Sequence, residues 1–429
     1  MNSKQRVALT IRHQNPDRVP VICQLSMGHY LLNTGIAPHV FWYTNEALAE
    51  AMVAMQRRYR FDGILVNLPG RPDNFLKDVT RVDKDADGEW VTWRNGDRTF
   101  MPWNDMPHFH PADPARPARA DFDSFDPGHM ENIDDYPGYL WNTYHMQALP
   151  GKKGRGPLEE VPDYFFNLLR LVKAKAGPDV SIHAEVFSPL TFYMELFGYE
   201  SALMGMITNP GKVHAVLDRL SESIALWARA LATEGADAML ISSAFVGGPF
   251  LSRKHYQEFV VPYERRVTRA IKSTGTPVYT HTCGSIGDRL DLFVETGTQG
   301  IDTLDPPPLG NGDLAAAKRD FGQQFFFKGN MNSVAILRYK TEAEVIAEAT
   351  SRIEIGKPGA GYILSTACSV APQVEPWKIE LLTPLAEEIG RYSDREPQRA
   401  CHHRLETPGP GRSPGQPVHR PNERSTLAG

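Results

Sequence analysis

Cysteine is scarce: four residues in a chain of 429, at Cys23, Cys283, Cys368 and Cys401. So thin a scatter excludes a disulfide scaffold and points to a reducing compartment, the cytoplasm by expectation, where thiols stay free for chemistry. A basic excess is missing as well. Lys plus Arg number 46 against 51 Asp plus Glu, a net charge of −5, so no cationic field gathers phosphates and nucleic acid is not expected as a partner. No apolar run approaches the roughly 18 residues of a membrane helix, and Met1-Asn2-Ser3-Lys4-Gln5-Arg6 does not open a signal peptide. No repeat of about 20 to 50 residues recurs. The expectation is a soluble protein with no membrane partner. What is present is an ordinary core-forming composition, 41% hydrophobic and 23% charged, which excludes a disordered or collagen-like chain.

Short β-rich apolar runs alternate with longer amphipathic ones. The strand candidates are Arg18 to Leu25, Gly63 to Leu68, Val180 to Phe187, Ala238 to Ser243, Val278 to Gly284, Gly300 to Asp305, Phe325 to Asn330 and Gly361 to Cys368. Helical stretches such as Asn45 to Arg58, Pro210 to Thr233, Ser252 to Ser273, Thr341 to Glu354 and Pro376 to Tyr392 lie between or after them. Eight strands in this rhythm predict an α/β fold, a closed (β/α)8 TIM barrel over residues 1–392, with an open doubly wound sheet as the alternative. A long insertion, about 69–177, separates the second and third strands. Within it Gly88 to Phe100 alternates around Asn95-Gly96 and reads as a hairpin, whereas His108 and His110, among prolines, read as loop. After Tyr392 the composition turns to Pro, Gly and Arg, so residues 393–429 are expected to be a disordered tail.

The sharpest chemical signal is Thr280-His281-Thr282-Cys283-Gly284, which closes the fifth strand candidate. Residues two apart in a strand share a face, so His281 and Cys283 are expected on one wall. The eighth candidate ends Leu364-Ser365-Thr366-Ala367-Cys368, bringing a second thiol to the C-terminal rim where barrel enzymes keep their sites. One imidazole and two thiolates suit Zn2+ and leave a fourth position for water or substrate. Against this stands the plain reading that a buried cysteine is a small apolar residue, which is preferred for Cys23. Cys401-His402-His403 falls in the tail and is read as inert.

Over roughly Met1 to Tyr392 the chain resembles the uroporphyrinogen decarboxylase superfamily. Lys4-Gln5-Arg6-Val7-Ala8-Leu9, followed by Asn15-Pro16-Asp17-Arg18-Val19-Pro20-Val21, is similar to that family's first helix and strand; Lys328-Gly329-Asn330-Met331-Asn332 resembles its Gly-Asn turn after the seventh strand. The His-x-Cys pair and the late cysteine look like the methylcobamide:coenzyme M methyltransferase branch, whose members hold zinc with such a trio. Departures from true decarboxylases agree with that branch. The paired arginines that would grip porphyrinogen carboxylates are absent from Cys23 to Tyr30, Asn67 stands near where an aspartate is expected, and Cys368-Ser369 replaces a His-Gly pair.

The resemblance implies methyl transfer between a corrinoid (methylcobamide) and a small thiol or methoxy substrate, in either direction, with Zn2+ held by His281, Cys283 and Cys368. The corrinoid is expected on a separate protein, because no Asp-x-His-x-x-Gly pattern occurs in the chain. Glu185 is read as a fourth ligand or general acid, Asp305 and Asn330 as pocket-shaping hydrogen-bonding groups, and Tyr193 as a pocket tyrosine. The family also allows a homodimer. Two other readings stay open: a metal-free decarboxylase-like lyase, and a non-catalytic partner of a corrinoid protein.

Overall fold

The computed structural model describes residues 1–128, 136 and 161–393, all within one compact unit, Met1–Arg399. Residues 394–429, with Cys401-His402-His403, and most of the second half of the expected insertion lie outside the described residues. Eleven strands occur among those described: β1 (Gly63–Val66), β2 (Val79–Lys84), β3 (Gly88–Trp93), β4 (Arg98–Pro102), β5 (His108–His110), β6 (Ser181–Phe187), β7 (Ala238–Ser242), β8 (Val278–His281), β9 (Gly300–Thr303), β10 (Phe326–Met331) and β11 (Tyr362–Thr366).

Seven of these form one curled parallel sheet in the order β1-β6-β7-β8-β9-β10-β11, an α/β, TIM-barrel-like arrangement. The strands are buried almost throughout, which is why they read as apolar runs rather than alternating ones. Arg18 to Leu25, expected as the first of eight strands, forms no regular strand. It makes only isolated bridges, Arg18 beside Arg391, Val21 beside Leu364 and Leu25 beside Val370. The Ile22 N–H donates to Leu364 O at 3.1 Å and the Asp62 N–H to Val21 O at 2.8 Å, so the segment lies between β11 and the start of β1. Pro20 has no N–H to give, and a ladder cannot run through it.

Below the mouth, a small cluster of Val7, Ile11, Ile22, Leu65, Ala238, Leu240, Tyr279, Phe326 and Ile363 forms an apolar floor, to which the helix Ser3–Ile11 contributes two residues. Asp62 anchors that end. Its buried carboxylate accepts from Arg6 Nη1 at 2.6 Å, Arg18 Nη1 at 2.8 Å, Ser3 Oγ at 2.8 Å and the Val21 N–H at 2.8 Å. Removing one member of such a buried charge set costs about 3–5 kcal/mol, because the others are left uncompensated.

Between β1 and β6 the chain builds an antiparallel sheet, β2-β3-β4-β5. The expected hairpin is β3–β4, with Thr92 opposite Arg98 and Gly96 at φ 89° in the turn. His108 and His110, expected in a loop, are strand residues paired with Phe100 and Arg98. Cross-strand ring contacts outweigh the local turn signals: the Trp90 ring lies 4.9 Å from Phe100 and 5.2 Å from His110, with Arg98 over it at 4.2 Å. The single helix expected over Ser252 to Ser273 is two, Arg253–Phe259 and Val261–Lys272, divided where Pro262 cannot donate to the preceding turn. Among the described residues no helix is long and apolar enough to cross a membrane.

Candidate metal centre

His281 is the last residue of β8, so its side chain stands on the sheet's interior face above Tyr279. Cys283 lies beyond the strand. His281 and Cys283 therefore do not share the face of one regular strand, as their spacing predicts; a turn brings the thiol back. Gly284 takes φ 82°, open to glycine at little cost, and its N–H donates to Asp305 Oδ2 at 2.6 Å. A side chain at Gly247 would come 2.7 Å from Cys283 O, so the neighbouring loop presses on the same turn. Cys368 likewise follows the end of β11, and the Ala367 N–H donates back to Met331 O at 2.6 Å.

These separate elements bring three donors together. Cys283 Sγ is 3.6 Å from His281 Nε2 and 3.6 Å from Cys368 Sγ, and all three ligand atoms lie within 4.8 Å of one another. A tetrahedral ion with metal–sulfur bonds of about 2.3 Å has ligand–ligand edges of about 3.7 Å. The donor set and its spacing thus fit a divalent ion of the zinc class, with one position left for another ligand.

Behind the trio stands a second line of polar groups. His281 Nδ1 lies 3.0 Å from Asp302 Oδ2 and 2.8 Å from Thr303 Oγ1, while Lys328 Nζ donates to Asp302 Oδ1 at 2.8 Å. A carboxylate only accepts, so Nδ1 carries the proton and Nε2 is the atom turned toward the sulfurs. Sheet register explains the alignment, since His281 pairs with Asp302 and Asp302 with Lys328 on adjacent strands. Burial alone would raise the Asp302 carboxyl, but the Lys328 ammonium and His281 hold it below its ordinary value. For His281, burial opposes the charged ring, yet Asp302 and Cys368 outweigh it and lift the pKa to about 10. The hydrogen bond shared by the sulfurs pushes the Cys283 thiol up and holds Cys368 well below a usual thiol, with His281 adding to the latter.

Glu185, on β6, is buried with Oε2 unpartnered; desolvation raises its pKa to about 7, against the opposing pull of His281 and Ser242. Asn330 donates from Nδ2 to Leu304 O at 2.9 Å, and its buried Oδ1 has no partner. Asp305, raised chiefly by burial, is the tie to Gly284. Tyr193 is not brought to this group. Its hydroxyl donates to Ala202 O at 2.8 Å, and its ring packs edge-on against Phe122 and Phe197. Sequence reasoning missed Asp302, Thr303 and Lys328. The available signal was a charged residue inside an otherwise apolar strand, as in Phe325-Phe326-Phe327-Lys328.

A family model, uroporphyrinogen decarboxylase (URO-D), matches residues 153–389, more than half of the chain and a span that includes the trio. The chain belongs to the URO-D family. This URO-D protein is similar to a methylcobamide:CoM methyltransferase of Methanosarcina barkeri, 24% identical over 220 residues, which are 51% of this chain and 62% of that relative. It is also similar to a uroporphyrinogen decarboxylase of Chlorobium limicola, 25% identical over 250 residues, 55% of this chain and 68% of that relative. The chain thus spans about two thirds of the length of the curated relatives it matches. Among solved structures, a methyltransferase from Methanosarcina mazei shares the fold, with a TM-score of 0.63 at 18% identity, over 90% of this chain and 99% of that one.

Proposed function

We propose that this URO-D protein is a zinc-dependent methyltransferase that moves a methyl group between a corrinoid (methylcobamide), carried on a separate protein, and a small thiol or methoxy substrate. The observation that carries the reading is the convergence of His281, Cys283 and Cys368 at the mouth of the curled sheet. The similarity to the methylcobamide:CoM methyltransferase of Methanosarcina barkeri supports it. When bound, the ion supplies Lewis acidity, which acidifies a thiol or polarises a methoxy oxygen.

The remaining work falls to the chain's own groups. Asp302, fixed by Lys328, orients the His281 ring. Glu185, with its pKa near neutrality, is poised to take or return the substrate's proton, or to fill the fourth position at rest. Asp305 and Asn330 hold the backbone at Gly284 and Leu304 and so shape the pocket. Free thiols suit a cytoplasmic setting, and a homodimer is the assembly to test. Tyr193 is assigned to the scaffold.

Metal analysis of the purified protein together with methyl transfer from methylcobalamin tests the reading. About one equivalent of zinc is expected, with both zinc and transfer lost in Cys283→Ala and Cys368→Ala. A zinc-free protein whose activity ignores both substitutions would defeat it. A second reading, a metal-free decarboxylase-like lyase, has the Chlorobium limicola relative in its favour; release of CO2 from a porphyrinogen by the metal-free chain would establish it. A non-catalytic partner would bind the corrinoid protein without turnover.

A further inference from the structure

Six cationic side chains are buried among the described residues: Arg6, Arg18, Arg71, Arg289, Lys328 and Lys378. Five stand beside carboxylates. Arg6 and Arg18 reach Asp62 at 2.6 and 2.8 Å, Arg289 reaches Asp288 at 2.8 Å, Lys328 reaches Asp302 at 2.8 Å and Lys378 reaches Glu375 at 3.4 Å. Arg71 is the exception, and with 0% exposure it is the most deeply buried of the six.

Its contacts are all neutral. Nε donates to Trp42 O at 2.9 Å and Nη1 to Pro69 O at 2.6 Å, while the backbone is clasped by the Asn45 amide at 2.7 and 2.9 Å. Among the described residues Nη2 has no partner, nor has the indole N–H of Trp42, the residue that Arg71 already grips. A structural role explains part of this, since Trp42 lies in the last turn of the helix Pro38–Tyr43, whose carbonyl end attracts a cation. That contact satisfies one N–H and supplies no counter-charge. An ion enclosed without an opposite charge is strongly unfavourable, and burial accordingly pulls the Arg71 pKa down to about 9. Arg71 also lies in the loop that leaves the C-terminal end of β1, the same end of the sheet from which Cys283 and Cys368 extend.

We propose that Arg71 binds the carboxylate of a small ligand, with Nη2 as the donor. A guanidinium nitrogen with its N–H groups free suits a singly charged carboxylate, and a single cation leaves a phosphate dianion under-compensated. The inference deepens the methyl-transfer reading and rests on it for the rest of the ligand: the small substrate is a carboxylate-bearing compound.

Calorimetric titration of the full chain, metal-loaded and chelated, with 4-methoxybenzoate, neutral 4-methoxybenzamide and inorganic phosphate tests this. The acid is expected to bind at least about 10-fold tighter than the amide, with that advantage lost in Arg71→Gln and partly kept in Arg71→Lys. No binding of the acid, equal binding of acid and amide, preference for phosphate, or undiminished binding in Arg71→Gln each overturns the proposal. Should Arg71→Gln not fold, a structure of the wild-type chain with the acid decides: a carboxylate oxygen within about 3.2 Å of Arg71 Nη2 supports the site, and a carboxylate elsewhere ends it. Failure of the methyl-transfer reading is told apart by the chelated protein, which would still bind the acid through Arg71 while showing no transfer under any metal loading.

Discussion

Two histidines are buried in the same curled sheet, and they have opposite chemistry. His183, at the level of the apolar floor, has hydroxyl partners: Tyr279 at 2.8 Å on Nδ1 and Ser181 at 3.1 Å on Nε2. Desolvation dominates there and the pKa falls to about 4, so the ring is neutral. His281, at the mouth, is equally enclosed, yet Asp302 and Cys368 raise it to about 10. Burial is common to both; the charge of the partners differs. Depth in the sheet therefore does not make a site, and what does is a buried ion pair, Asp302–Lys328, stationed behind one imidazole and not the other.

The comparison breaks most easily at the sulfurs. Cys368→Ala removes a donor, and metal content by plasma spectrometry should fall from about one equivalent to background. His183→Asn should leave it unchanged; equal loss in both would erase the distinction between floor and mouth. The next effect in size is on stability. Asp302→Asn strands Lys328 in the interior and is expected to cost about 3–5 kcal/mol in denaturant unfolding. It should also weaken metal retention against a chelator about 10–100-fold. Adding Lys328→Met should return much of the stability without the metal affinity, since removing both charges is cheaper than removing one. At the floor, Asp62→Asn should lower stability by about 3 kcal/mol, by leaving Arg18 without its carboxylate and Arg6 with Asp17 alone, and leave metal affinity alone.

The last effect is on pH dependence. His29 and His183 both have pKa values lowered to about 4, chiefly by burial. Between about pH 6.5 and 4 the unfolded chain binds these protons and the folded chain does not, so stability is full above pH 6.5 and falls on acidification. The slope is up to about 1.4 kcal/mol per pH unit for each histidine. Unfolding midpoints measured across that range should flatten in His29→Asn, and an unchanged slope would contradict the neutral assignment.

Much of this was legible in the residues. Parallel strands announced themselves as apolar runs, and Asn95-Gly96 marked its hairpin, because turn chemistry and hydrophobic periodicity are local. His281, Cys283 and Cys368 stood out because few residue types bind metal. Asp302 and Lys328 did not, because each acquires meaning only from the residue beside it on the next strand. Two-residue spacing did not by itself place Cys283, as β8 stops at His281 and a glycine turn finishes the approach.

By itself, the sequence determined an α/β chain with three metal-competent side chains at the ends of two strands, since composition and spacing are carried by neighbouring residues. Only the tertiary structure decided that sulfurs 85 residues apart meet at 3.6 Å. It alone set which histidine has a carboxylate at its back, and it left Arg71 enclosed without a counter-charge among the described residues. Those outcomes depend on sheet register, on curl and on the exclusion of water, and none of the three exists until distant segments pack.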